Sequence, residues 1–185
     1  AELIGSKHGF EAVAALTQSE VPEVRASAFL TLADFSDSEN HAIFGKISQE
    51  KSPYVTSRII AAILRSRTLL PGMDRLALEL ASESDPLLSV SATSFLIERN
   101  AMEVCFDVLD NEGDEKLWPT AFRILTQFHK PRAVEGIVLR LEQTNSPEFR
   151  SLAFDALSAL YYEPSGGKTP WEATPLIDAV FRASL

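Results

Sequence analysis

The residues of this 185-residue chain that could do chemistry are three histidines, one cysteine and an acidic run. His8, His41 and His129 lie far apart, near the ends of helix-like segments. None has a second histidine, a cysteine or a carboxylate at ligand spacing on a shared helix face, so their pattern does not build a metal site. Cys105 stands alone, which excludes an intrachain disulfide and a cysteine-rich metal site. Glu103, Asp107, Asp110, Glu112, Asp114 and Glu115 invite a calcium reading. An EF-hand loop with Gly113 as its sixth residue would begin at Val108, which cannot ligate. Asp114 and Glu115 are better placed to complement the N-terminal dipole of a following helix. Gly166-Gly167-Lys168-Thr169 has the ending of a phosphate loop without its first glycine or its preceding strand. Arg58, Arg65, Arg67 and Arg75 spread over several helix faces. No nucleophile is paired with a base, and no two carboxylates converge. The chain reads as a non-enzyme with neither cofactor nor metal.

Composition narrows the partners. With 26 acidic and 17 basic side chains the net charge is -9, and the pI is about 4.8. Phosphate neutralisation needs clustered Lys and Arg, so nucleic acid is not expected. No run approaches the ~20 apolar residues that span a bilayer, so no membrane insertion is expected.

The elements that carry these residues repeat. Five segments begin at Pro22, Pro53, Pro86, Glu115 and Pro147, at intervals of 31, 33, 29 and 32 residues. Each places an apolar residue at its third position (Val24, Val55, Leu88, Leu117, Phe149). Four residues on comes a small or branched one (Ala28, Ile59, Ala92, Ala121, Ala153), and four further a Leu or Ile (Leu32, Ile63, Leu96, Leu125, Leu157). Steps of four draw one stripe along a helix. Ser52-Pro53, Asp85-Pro86 and Ser146-Pro147 each supply a capping oxygen before a proline whose φ is already helical. Between these first helices run second helices of pattern i, i+3, i+4, i+7, such as Met73/Leu76/Ala77/Leu80 and Val134/Ile137/Val138/Leu141. Phe10/Val13/Ala14/Thr17 and Ala173/Leu176/Ile177/Val180 are the outermost copies, and Pro71, Pro131 and Pro175 mark starts. Cys105 shares its stripe position with Phe44, Ala77 and Val138, so it is expected to be a buried, inert thiol. About eleven short helices and no strand follow. The expected fold is all-α, a right-handed α-solenoid in which each hairpin buries its stripe on the next.

Pro-Glu-Val-Arg-Ala-Ser-Ala-Phe-x-x-Leu (22–32) and Pro-Glu-Phe-Arg-Ser-Leu-Ala-Phe-x-x-Leu (147–157) resemble the first helix of HEAT repeats, the short class that includes phycobilisome lyases. The resemblance implies a single HEAT-like domain over 1–185. A lone second helix spans 9–18, and repeats span about 21–50, 52–82, 85–110, 114–144 and 146–185. The family's arginine stands at Arg25 and Arg150, whereas Thr56, Ser89 and Trp118 replace it. Beginning and ending on a second helix, the chain reads as a piece of a longer protein. The stretch from Leu160 to Thr174 is also similar to HEAT segments of large exported bacterial dehydrogenase–cytochrome proteins. That similarity implies a periplasmic or exported setting.

The last interval between second helices is longer by about six residues, which fall within 161–171. Solenoid insertions map to loops, often on the binding face. Tyr162, Gly166, Gly167 and Trp171 are therefore expected either to close the stack or to meet a partner. The second helices would also present Asp74, Arg75, Glu103, Asp107 and Glu135. The leading expectation is a non-catalytic interaction or spacer module, whose partner is another protein or a neighbouring domain. The alternative is a HEAT-like enzyme or ligand-handling domain, similar to bilin lyases or DNA glycosylases. A glycosylase needs a basic groove, and the charge balance opposes it.

Overall fold

The computed structural model describes residues 7–35, 40–66, 70–162 and 173–183, and among them every regular element is helical. Eleven α-helices follow one another: α1 (Lys7–Leu16), α2 (Pro22–Leu32), α3 (Asn40–Phe44), α4 (Pro53–Ser66), α5 (Met73–Ala81) and α6 (Pro86–Glu98), then α7 (Met102–Asp110), α8 (Trp118–Gln127), α9 (Pro131–Gln143), α10 (Pro147–Tyr162) and α11 (Thr174–Ala183). Short 3₁₀ helices occupy Gly45–Gln49 and Glu112–Leu117. The chain divides into two compact units, Ala1–Phe95 and Leu96–Leu185. In the first, α2 packs on α1 and α4. In the second, α8 packs on α7 and α10, and α9 on α7, α10 and α11.

The capping chemistry read from the sequence is present at three helix starts. Ser52 Oγ accepts from the backbone N–H of Val55 at 3.5 Å. Asp85 Oδ1 accepts from Leu87 and Leu88 at 2.9 and 3.1 Å. Ser146 Oγ accepts from Phe149 at 3.3 Å. Each oxygen satisfies a donor that an unprotected helix start leaves orphaned. The stripe is buried as expected, except that Val24 and Leu117 are only half-covered. Each repeat's middle position and its Leu or Ile are all buried.

Three helix boundaries differ from the repeat pattern. The fourth first helix starts at Trp118, not Glu115. Pro119 imposes this, because a helix begun at Glu115 would drive the proline ring into that residue's carbonyl. Pro71 does not open a helix: α5 begins at Met73, after Gly72 takes a left-handed φ of 74° that Gly adopts without steric cost. The second helix after Asn40 runs only to Phe44 and then tightens into 3₁₀ geometry at Gly45. Glycine is a poor α-helix former, and a short 3₁₀ turn is a common way to end a helix.

Candidate interaction surface

The second helices of the Leu96–Leu185 unit meet one repeat apart. Lys130 Nζ donates to Asn100 Oδ1 at 2.5 Å, 30 residues away. Arg132 donates to Glu103 at 2.5 Å, 29 residues away. Arg140 Nη2 donates to Asp110 at 2.5 Å, again 30 residues away. Between these polar rungs the Phe106 ring lies against Gly136. A Cβ at Gly136 would stand 2.4 Å from two ring carbons, so only glycine allows this approach. The Arg140 guanidinium covers the same ring at 4.5 Å and donates to the Gly136 carbonyl at 3.1 Å. Replacing an exposed mid-helix glycine by alanine normally stabilises by about 1 kcal/mol. Gly136→Ala is expected to do the reverse and destabilise by about 1–3 kcal/mol through overpacking. Urea titration reads the sign, and adding Phe106→Leu should recover most of the loss.

A second regularity concerns the fourth position of the first helices, where arginine gives way to other residues. Arg25 Nη1 donates to the carbonyls of Ser19 and Glu20 at 2.9 and 3.1 Å. Ser89 Oγ donates to Ala81 O at 2.9 Å. Trp118 Nε1 donates to Val108 O at 3.3 Å, and Arg150 Nη1 to Leu141 O at 3.2 Å. Two arginines, a serine and a tryptophan thus donate to carbonyls in the last turn of the preceding helix or just beyond it, where intrahelical partners run out. Of the three replacements of arginine, those at Ser89 and Trp118 keep the donor and discard the charge.

Arg25 alone of these adds a carboxylate. Its Nε and Nη2 each lie 3.0 Å from Glu50, a bidentate pair largely out of solvent. Glu50 also accepts from the backbone N–H groups of Lys51 and Ser52 at 3.0 and 2.9 Å. Burial pushes the Glu50 carboxyl up, but these hydrogen bonds outweigh it and hold the group below its ordinary 4.5. The hydrogen bond to Glu50 raises Arg25 in turn, against a smaller opposing effect of burial.

Two cavities open at equivalent places. In the first unit a cavity of about 360 Å³ is lined by Gln18, Ser19, Arg25, Lys46, Glu50 and Lys51, over Phe29 and Ile59. In the second a cavity of about 490 Å³ is lined by Asp110, Glu115, Arg140, Gln143 and the loop Thr144–Ser146, over Trp118 and Phe149.

Of the residues singled out in the sequence, Asp74 and Arg75 open α5, where Arg75 Nε donates to Glu79 at 2.9 Å. Glu103 and Asp107 stand exposed one turn apart on α7, the former held by Arg132. Glu135 is exposed on α9. Tyr162 ends α10, and its side chain lies outside the described residues, as do Gly166, Gly167 and Trp171 altogether. Of the arginine group, Arg58 lies 5.3 Å over the Tyr54 ring and Arg65 pairs with Asp34, while Arg67 lies outside the described residues.

Cys105 is fully buried in α7, and desolvation pushes its thiol up to about 12. It stays protonated at neutral pH and out of reach, and the thiolate is the reactive form. A disulfide reagent should label it only after denaturant is added; fast labelling of the folded chain would contradict this placement. Among the described residues no group of three or more His, Cys, Asp and Glu side chains could hold a metal ion. Among them, too, no helix is long and apolar enough to cross a membrane.

No family model matches the chain, and no curated protein is significantly similar to it.

Proposed function

We propose that this chain is a HEAT-like α-solenoid that works as a non-catalytic protein-interaction or spacer module. The observation that carries the reading is the set of rungs between α7 and α9. Side chains 29 or 30 residues apart meet on successive second helices or just before their starts, as they do when each repeat packs on the next. The neighbouring first helices α2 and α4, and α8 and α10, pack in the same serial way. Such stacks bind through the helix surfaces left outside the core, here the exposed acids Asp107 and Glu135 and the pair Glu103–Arg132. A basic or polar protein surface is the complementary partner.

The test is photo-crosslinking in the cells that make the protein, with a benzophenone amino acid at Asp107 or Glu135 and, for comparison, at Ser94 on α6. A discrete protein adduct from the second-helix positions, absent from Ser94, is expected. Adducts of equal yield from all three positions, or from none, would overturn the reading.

A further inference from the structure

The two equivalent cavities differ in how their charges are balanced. In the second, Arg140 lines the cavity and Asp110 neutralises it. Counting back from the prolines that open α4 and α10, Lys46 stands in the place of Arg140, and Gln49, Glu50 and Lys51 in those of Gln143, Thr144 and Asn145. On the second helices' repeat pattern, Thr17, Gln18 and Ser19 stand in the places of Val108, Leu109 and Asp110. Gln18 and Ser19 line the first cavity as Leu109 and Asp110 line the second. The acid that balances Arg140 is thus a serine where it would balance Lys46.

Among the described residues, nothing else that lines the cavity restores the balance. Its charged lining is Arg25, Lys46, Lys51 and Glu50. Glu50 is already shared among Arg25 and two backbone N–H groups. Lys46 and Lys51 are exposed and have no ion pair among the described residues. A local excess of two positive charges therefore faces a space of about 360 Å³ in a chain whose net charge is -9. Against that net negative charge, complementarity favours this place for an acidic ligand.

We propose that this cavity receives a carboxylate from an acidic segment of a protein partner, which does for Lys46 and Lys51 what Asp110 does for Arg140. The proposal rests on the reading of the chain as an interaction module and specifies one of its contacts.

The test is fluorescence anisotropy with a rhodamine-labelled hexaglutamate peptide at low and at physiological salt. Binding is expected at low salt and weakens as salt rises. Lys46→Gln and Ser19→Asp should each reduce affinity by about tenfold, the latter by supplying the missing carboxylate within the chain. Ser19 Oγ accepts from the Val21 N–H at 3.2 Å, and an aspartate oxygen can do the same. Unchanged circular dichroism checks the fold of both variants. Lys116→Gln, an exposed lysine elsewhere, should leave binding unchanged. The proposal is overturned if hexaglutamate does not bind at low salt, if Ser19→Asp binds like the parent chain, or if Lys116→Gln is equally damaging. Displacement by inorganic phosphate as readily as by unlabelled peptide would also overturn it, by showing a general anion site. A failure here with crosslinks still forming at Asp107 and Glu135 removes this contact alone, whereas loss of both removes the interaction reading.

Discussion

Trp118→Ala should lower the unfolding free energy by about 3–5 kcal/mol, the usual cost of truncating a large buried aromatic. Trp118 is 7% exposed, and its ring meets Phe149 edge-on, with centroids 5.1 Å apart. Phe149 meets Phe122 in the same way at 5.1 Å, so one ring of α10 is clasped by two of α8. Removing the indole empties that clasp and withdraws the donor from the Val108 carbonyl. Trp118→Phe separates the two losses. It keeps most of the edge contact and forfeits only the hydrogen bond, worth about 1 kcal/mol. Urea unfolding followed by circular dichroism should therefore rank the parent chain above Trp118→Phe and both well above Trp118→Ala. Equal losses in the two variants would mean that the hydrogen bond, and not the packing, dominates.

Glu50→Ala should cost about 3 kcal/mol at neutral pH, because it leaves the Arg25 guanidinium largely buried without its carboxylate. Only 18% of the Arg25 side chain and 11% of that of Glu50 are exposed, so water replaces the lost partner poorly. The double variant Arg25→Met/Glu50→Met should recover much of this loss, since an apolar pair carries no desolvated charge. The pH dependence has a definite sign. Glu50 titrates below its ordinary 4.5 in the folded chain. Its contribution is therefore complete above that value and is lost as pH falls through the lowered folded value. The stability gap between the parent chain and Glu50→Ala should be constant at neutral pH and shrink on acidification below about pH 4.5. A gap that holds unchanged into acid would show that the carboxylate's charge contributes nothing.

Much of the helical plan was legible because it depends on local rules. A capping oxygen before proline at 52–53, 85–86 and 146–147 marks a helix start whatever surrounds it. The stripe through Ile59, Ala92, Ala121 and Ala153 names its buried face by spacing alone. Pro119 forbids a helix beginning at Glu115, a steric rule that prevails over the repeat spacing. The place of Cys105 was legible for the same periodic reason, since Phe44, Ala77 and Val138 are buried with it.

The candidate site was less legible. Asp74, Arg75, Glu103, Asp107 and Glu135 lie off the apolar stripes of second helices, and nothing in their spacing shows that Glu103 is held by Arg132. That pairing depends on which residues of two helices about thirty positions apart come side by side. Arg25, Ser89, Trp118 and Arg150 read as part of a broken family pattern, yet all four donate to carbonyls in the last turn of the preceding helix or beyond it. An orphan carbonyl needs a donor at the right point in space and is indifferent to whether a guanidinium, a hydroxyl or an indole provides it. Helix type, start and buried face follow from neighbours within a turn or two, so the sequence by itself determined them. Gly136 under Phe106, and Lys46 across from Ser19 where Arg140 has Asp110, are matters of proximity between distant segments, which only the packed chain decides.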